Sequence, residues 1–429
     1  MNRQILRLAV PNIVTNITVP LLGLVDLALM GHLDDPVYIG AIALGSIIFN
    51  LLYTGFGFLR MGTTGFTAQM FGAGDDLGLR LMLWRSILIA GGIGVLMVML
   101  QKPMEILAFS FLSGSDDVLK LAEDYYRIRI WAAPATLILY AFYGWFLGMQ
   151  DSKPPMIIAI SINLINIALN FAFVYGLQMT SNGVALATLI AQYSGLAIAS
   201  AFVVFKYGDY AKSIPVKLIL KASELRRFFR VNTDIFFRTI ALMLTFTFFT
   251  AVSAKMGDDI LAVNSLLIQF FFIFSYFADG FAFAGEALAG KAFGARNKEM
   301  LNKTVRYLFV WGWMSALLFS LIYYLGSKQL LNILTDNQEI IIMAQDYHLW
   351  VVILPLTTFA AFAWDGVFIG LTASRQMLVV MLISTFGFFL PAYYLSADYI
   401  YDHSLWFAMN LFMAMRSVLM WLFSRNILR

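Results

Sequence analysis

Eight ionisable side chains lie inside long apolar stretches of this 429-residue sequence. A charge in such a place is costly and is usually kept for a function. Carboxyl groups there can take up and release a proton or bind a cation, and arginines can neutralise them. The eight residues are Asp26, Arg60, Asp234, Arg238, Asp279, Glu286, Asp365 and Arg416.

Asp26 is the strongest candidate for proton binding, because no basic residue lies one helical turn away from it. Desolvation favours the protonated form of an isolated carboxyl group, which suits a group that must load and unload a proton. Candidate hydrogen-bond partners are the amides of Asn163, Asn166 and Asn170, of which the last two share a helix face at i and i+4. The alternative is structural, because Asp and Asn also hold membrane helices together.

The other charges have structural interpretations beside functional ones. Asp234 and Arg238 stand at i and i+4, a spacing that favours a structural ion pair over substrate chemistry. Arg60 and Arg416 lie near predicted cytoplasmic helix ends, where a long side chain can reach the interface. Asp279 precedes Gly280 in a Phe-rich stretch, where a helix–helix hydrogen bond is as plausible as a functional role.

The sequence lacks the residues or motifs that several kinds of chemistry require. Cysteine is absent, which excludes disulfides, thiolate metal sites and cysteine nucleophiles. The three histidines, at 32, 348 and 403, are too scattered to predict a metal site. No GxxxxGK[ST] motif occurs, so nothing indicates that ATP drives the protein. We therefore expect neither an enzyme nor a protein with a cofactor or metal.

The composition indicates an integral membrane protein. Hydrophobic residues make up 61% of the chain and charged residues 13%, with a mean hydropathy of +0.79. Soluble domains carry roughly 25% charged residues. Apolar runs of membrane-spanning length predict an all-α fold of twelve transmembrane helices. They lie at about 6–31, 38–62, 80–101, 121–149, 155–177, 183–206, 228–255, 259–286, 303–326, 342–371, 375–396 and 404–424.

Short motifs recur in the second half of the chain in a single register without a gap, which predicts two pseudo-symmetric six-helix lobes. Phe71-Gly72-Ala73 returns at 293–295, Asp124-Tyr125 at 346–347, and Phe-Leu-Gly at 146–148 as Phe-Ile-Gly at 368–370. Two such bundles suit alternating access by a secondary transporter. Glu286 and Asp365 correspond to Thr64 and Tyr143 in this register, so the lobes share a frame but carry different chemistry.

Basic residues are distributed unevenly and predict the topology. The segment 206–230 holds seven of them, and it separates the predicted lobes 1–205 and 231–429. The positive-inside rule places this linker and both termini in the cytoplasm. The net charge of +4 is therefore interpreted as a topology signal and not as a nucleic-acid footprint.

Five stretches make the chain resemble the MATE (multidrug and toxic compound extrusion) transporters, and among them the DinF-like branch. The resemblance covers essentially the whole length. The stretches are VPLLGLVDLALMGHL (19–33), FLRMGTTGFTAQMFGAGD (58–75), NLINIALNFAFVYGL (163–177), ADGFAFAGEALAGKAFGA (278–295) and WDGVFIGLTASRQM (364–377).

The resemblance implies a coupling site in the first lobe. The protonated carboxyl of DinF-like relatives maps onto Asp26, the proline at which their first helix bends onto Pro11, and the partners on the fifth and sixth helices onto Asn166, Asn170 and Thr188. The position of Asn170 is often an Asp in that network, so the first lobe here carries one titratable carboxyl where relatives have two.

For the second lobe, the resemblance implies cation or substrate binding by the eighth-helix and tenth-helix acids, which map onto Glu286 and Asp365. Asp279 is a further candidate because it is a charge within an apolar stretch. Sodium coupling in NorM-like relatives involves a seventh-helix glutamate. The seventh helix here offers Asp234 and Arg238 instead, which disfavours sodium.

The family resemblance implies a cation-coupled exporter of amphipathic, often cationic compounds, with a central cleft between the lobes. Proton-coupled antiport is the leading hypothesis, and sodium coupling, export of an organic anion and lipid-linked flipping are alternatives. We expect a monomer in the bacterial cytoplasmic (inner) membrane, with the lipid bilayer as its surroundings and no nucleic-acid partner.

Overall fold

The computed structural model describes residues 1–30 and 37–428, and within them the side chains other than those of 19–30, 426 and 428. In this part of the chain the regular secondary structure is helical throughout, with no strand. Eleven helices from Val37 onwards are long and apolar enough to cross a membrane, and the N-terminal helix of 29 residues precedes them. The predicted all-α membrane fold is confirmed.

The long helices are α1 to α12 in chain order. Their bounds are α1 Asn2–Met30, α2 Val37–Ala73, α3 Asp76–Met99, α4 Asp116–Gly148, α5 Lys153–Gly176, α6 Ser181–Lys206, α7 Ala222–Met256, α8 Asp258–Gly294, α9 Lys298–Leu334, α10 Gln338–Gly370, α11 Ser374–Ile400 and α12 His403–Leu428. Three short helices lie in the connections, at Gln101–Phe109, Gly208–Ala211 and Val216–Ile219.

The predicted ends of α2 and α8 are too early. Hydropathy places them near 62 and 286, but the helices continue to Ala73 and Gly294. The extra turns of α2 contain Thr63, Thr64 and Thr67, which lower the local hydropathy and are nevertheless buried. A buried polar turn is invisible to a hydropathy window because that window measures side-chain polarity and not packing.

The sequence repeat is reproduced in the backbone at the ends of α2 and α8. Gly74 and Arg296 occupy the left-handed region, with φ of 68° and 53°. The next residues, Asp75 and Asn297, each accept a hydrogen bond at 2.8 Å from the main-chain N–H three residues later and so cap the following helix. Gln150 and Thr372 form a second equivalent pair, with φ of 63° and 53°. The predicted duplication is confirmed.

Packing divides the chain into two compact units. One contains Met1–Ile13 with Phe229–Arg429, and the other contains Val14–Phe228. The chain passes from one unit to the other twice, inside α1 and inside α7. The predicted segments 1–205, 206–230 and 231–429 stay a prediction about functional lobes, whereas packing groups Met1–Ile13 with the second half.

Each unit has its own aromatic core. In the unit Val14–Phe228, Tyr126 stacks on Phe49 with ring centres 5.4 Å apart. In the other unit, Trp406 packs edge-on against Phe249 at 5.2 Å and donates its ring N–H to Asn264 Oδ1 at 2.8 Å. The indole and amide are thereby satisfied in a buried place, where an unpaired polar group is costly.

Candidate functional site

A chain of buried polar side chains joins α5 to α6. Asn170 Nδ2 donates to Asn166 Oδ1 at 2.8 Å, and Asn166 Nδ2 donates to Thr188 Oγ1 at 3.0 Å. Thr188 in turn donates to the carbonyl oxygen of Val184 at 3.0 Å. All three side chains are buried. The structure therefore brings together the three residues that the sequence grouped, while their part in proton coupling stays a prediction.

The same helix α5 also contacts α1. Asn163 Nδ2 donates to the carbonyl oxygen of Thr18 at 2.9 Å. Thr18 lies about two helical turns before Asp26. The side chain of Asp26 falls outside the described residues, so its predicted bonds to Asn166 and Asn170 stay a prediction.

The start of α1 packs closely against α8 around Gly280. A side-chain carbon at Gly280 would lie 3.0 Å from the carbonyl oxygen of Ala9 and would overlap Ile13. Pro11 lies between these two contacts, within a helix that runs continuously from Asn2 to Met30. The predicted bending at Pro11 stays a prediction.

The second candidate site is a buried cluster that joins α7, α10 and α12. Asp365 Oδ2 accepts hydrogen bonds from Arg416, at 2.9 Å, and from Arg238. The three side chains are at most 8% exposed. Two guanidinium groups thus share one carboxylate oxygen, which compensates the charge of Asp365 and leaves little negative potential for a further cation.

The predicted ion pair between Asp234 and Arg238 is wrong. Arg238 pairs with Asp365, and Asp234 Oδ2 accepts a hydrogen bond from Ser374 Oγ at 2.9 Å. The i, i+4 spacing makes contact on one helix available, but α7 packs here beside helices that offer closer buried partners. Asp234 serves instead to hold the first turn of α11.

The prediction that the side chain of Arg416 can reach the membrane interface is also wrong. Its side chain is 3% exposed and is held by Asp365. Its Nη1 lies 3.3 Å from Met413 Sδ, and its guanidinium lies over the Phe412 ring. Neither Arg416 nor Ser374 was among the predicted site residues, and the signal that pointed to Arg416 was only its charge within an apolar stretch.

Asp279 and Glu286 lie at i and i+7 on α8 and so face the same way, two turns apart. Glu286 is buried, and Asp279 is partly exposed. Asp279 is close enough to Arg416 to interact with it electrostatically. Of the two candidate carboxyls on α8, Asp279 therefore borders the arginine pair.

Among the described residues, no group of three His, Asp or Glu side chains could hold a metal ion. The polar groups of both candidate sites are amides, hydroxyls, carboxylates and guanidinium groups. Such groups can move protons and bind charged parts of small molecules.

The MatE family model matches the chain twice, over residues 11–172 and 235–395. The two matches follow the duplication that the backbone repeats. The chain belongs to the MatE family. Members of this family are membrane transporters and not enzymes.

Two curated relatives illustrate the breadth of the MatE family. DNA damage-inducible protein F of Escherichia coli is 38% identical over 421 residues, which cover 97% of this chain and 90% of that protein. The probable multidrug resistance protein NorM of Thermotoga maritima is 25% identical over 353 residues, which cover 80% of this chain and 74% of that protein.

A solved structure of a multidrug resistance MATE family transporter in an outward-facing conformation has the same fold. Its TM-score is 0.90 at 20% identity, over 99% of this chain and 95% of that one. The predicted MATE resemblance and fold class are confirmed, and the assignment to the DinF-like branch agrees with the 38% identical relative.

Proposed function

We propose that this MatE protein is a secondary active exporter that exchanges protons for small amphipathic, cationic molecules by alternating access. The observation that carries the proposal is a MatE fold built from two units, each with its own core. Relatives named for multidrug resistance support the kind of substrate.

The proton site is Asp26, with the polar chain of Asn170, Asn166 and Thr188 as its partner. The hydrogen bonds of these three side chains all point the same way, from Asn170 towards the carbonyl oxygen of Val184, and each has a defined donor. An amide can donate to a carboxylate and accept from a carboxylic acid. Asn170, at the start of the chain, is therefore able to bond to Asp26 in either protonation state.

In the second half, Glu286 and Asp279 bind the cationic part of the substrate. Asp365 is a less direct participant because Arg238 and Arg416 already compensate its charge. Asp365 holds these two arginines beside α8 and changes its hydrogen-bond partners when the substrate binds.

Two alternatives have less support. Sodium coupling would use the seventh-helix acid, but Asp234 is engaged by Ser374. Export of an organic anion, or flipping of a lipid-linked one, would need uncompensated positive charge, but Arg238 and Arg416 share Asp365 and Arg416 also interacts with Asp279. We place the protein in the bacterial inner membrane as a monomer, with both termini in the cytoplasm.

Transport in proteoliposomes under separately imposed proton and sodium gradients tests this function. A proton gradient should drive export of a fluorescent aromatic cation, whereas a sodium gradient alone should not. Asp26→Asn should insert and fold but lose proton-driven export, and the matched surface change Asp398→Asn should have no effect. Equal transport by Asp26→Asn, with the same pH dependence, would place the proton site elsewhere.

A further inference from the structure

The basic linker 206–230 runs from the end of α6 into the first turns of α7, and up to Phe228 it is part of the unit Val14–Phe228. Arg85 of α3 is buried and donates its Nε–H to the carbonyl oxygen of Ile219, at 2.9 Å. Ile219, in the short helix Val216–Ile219, is buried as well. Because a buried guanidinium group must find acceptors, this bond fixes the middle of the linker to α3.

Both ends of the linker are fixed too. At its start, Tyr207 donates to Asp151 Oδ2 at 2.6 Å, and Tyr210 donates to Asp76 Oδ1 at 2.8 Å. At its end, Phe228 stacks on Phe66 with ring centres 6.0 Å apart. One side of the linker therefore packs against the rest of this unit, and the opposite side is exposed.

That opposite side is apolar and basic. Val216, Leu218 and Leu220 are 59%, 46% and 49% exposed, although they belong to a connection and not to a membrane-spanning helix. Lys217 and Lys221 are exposed among them. Large apolar side chains interleaved with lysines are typical of segments that lie in the interface of a bilayer.

The charge of the whole linker has the same sign as this face. The segment 206–230 contains seven basic and two acidic side chains. One of the two acids, Asp209, is already paired with Lys212 at 2.6 Å. Lys206 is paired with Asp151 as well, so five basic side chains and one acidic side chain remain. This positive charge complements the negative surface of a leaflet that contains anionic lipids.

We propose that the linker face formed by Val216, Lys217, Leu218, Leu220 and Lys221 docks on anionic phospholipid headgroups of the surrounding bilayer. The three apolar side chains enter the interfacial region, and the two lysines contact lipid phosphates. This proposal does not depend on the transported substrate or on the coupling ion.

The cysteine-free chain allows a direct test with one reporter. Leu218→Cys, labelled with an environment-sensitive fluorophore, is placed in nanodiscs of phosphatidylcholine alone or mixed with phosphatidylglycerol. Lipids with a nitroxide near the headgroup should quench the label strongly in the mixed discs and weakly in the neutral ones. High salt should reduce the difference, because screening weakens interactions between exposed charges.

Charge variants separate lipid recognition from simple proximity. Lys217→Gln with Lys221→Gln should lower the apparent affinity for phosphatidylglycerol about 30-fold, the change expected for two basic residues at an anionic surface. Lys120→Gln with Lys328→Gln removes the same charge elsewhere and should leave the quenching unchanged. A label quenched by aqueous iodide and not by the nitroxide lipids would overturn the proposal. So would quenching that ignores both the lipid charge and the lysines.

Discussion

Gly144 and Gly366 make the same close helix crossing at equivalent positions of the duplicated sequence. A side-chain carbon at Gly144 in α4 would overlap the carbonyl oxygen of Arg60 in α2. One at Gly366 in α10 would overlap the carbonyl oxygen of Ala282 in α8. Arg60 and Ala282 also correspond to each other in the register of the repeat, so the duplicated frame is fixed by contacts of backbone on backbone.

Replacing either glycine should destabilise its own unit. Gly144→Ala and Gly366→Ala should each cost about 1–3 kcal/mol, because the obstructing atom is a main-chain oxygen that cannot rotate away. The control is Gly92→Ala in α3, where nothing lies within 4 Å. It should be neutral or stabilising, since alanine favours helix. Thermal unfolding in detergent measures all three, and equal melting temperatures would contradict the close contact at the two crossings.

The buried Asp365 cluster gives a second prediction about stability. Asp365→Asn leaves Arg238 and Arg416 without their carboxylate and should cost about 3–5 kcal/mol. Adding Arg416→Met should recover part of the loss, because one of the two buried guanidinium groups that lost Asp365 is removed. Thermal unfolding is again the measurement. A stable Asp365→Asn protein with normal transport would mean that the cluster contributes to neither.

The polar chain of the first half predicts an effect on coupling. Thr188→Val removes the hydroxyl that accepts from Asn166 Nδ2, and the loss of this buried hydrogen bond should cost about 0.5–1.5 kcal/mol. If the chain responds to the protonation of Asp26, the pH dependence of export should shift as well. Thr245→Val is a matched control, since Thr245 is a buried threonine in the other unit. Export should be measured as a function of pH for both variants. Identical pH profiles would contradict a response of the polar chain to the protonation of Asp26.

Asp151, in the turn between α4 and α5, should make stability depend on pH. Burial alone would raise the pKa of Asp151, but hydrogen bonds from Lys206 and Tyr207 outweigh it and lower the pKa. A carboxyl with a lowered folded-state pKa stabilises the fold above its unfolded value of about 3.9 and loses this effect as the pH falls through the folded value.

Asp151→Asn should therefore lower the melting temperature at neutral pH, and its difference from the wild type should shrink below about pH 4. The exposed change Asp398→Asn should show no such trend. A difference that stays constant with pH would assign the effect of Asp151 to packing.

The proposed orientation is testable with a single cysteine at Ser213, an exposed position of the linker. Because the chain contains no other cysteine, Ser213→Cys is the only thiol. It should resist an impermeant thiol reagent added to intact cells and react after the membrane is permeabilised. Labelling of intact cells would reverse the topology.

The helices and the duplication were predictable from the sequence because both depend on local patterns. Runs of apolar side chains define the spans, and a repeat in one register fixes which turns correspond. The common face of Asn166 and Asn170 was predictable for the same reason, since side chains at i and i+4 of a helix return to one side.

The partners of the buried charges were not predictable in this way. Arg238 and Asp365 are 127 residues apart, and Arg416 is 51 residues beyond Asp365. Their meeting depends on how α7, α10 and α12 pack. The i, i+4 rule compares residues of a single helix. It therefore paired Arg238 with Asp234, four residues away, and could not detect Asp365.

The passage of the chain between its two units has a mechanical consequence. Neither crossing is a loop: one lies between Ile13 and Val14 inside α1, and the other between Phe228 and Phe229 inside α7. A displacement of one unit must therefore bend or unwind a hydrogen-bonded helix. The helix resists this deformation elastically, whereas a flexible loop would not. Pro11, just before the first crossing, has no main-chain N–H to lose. We therefore expect α1 to bend more easily than α7.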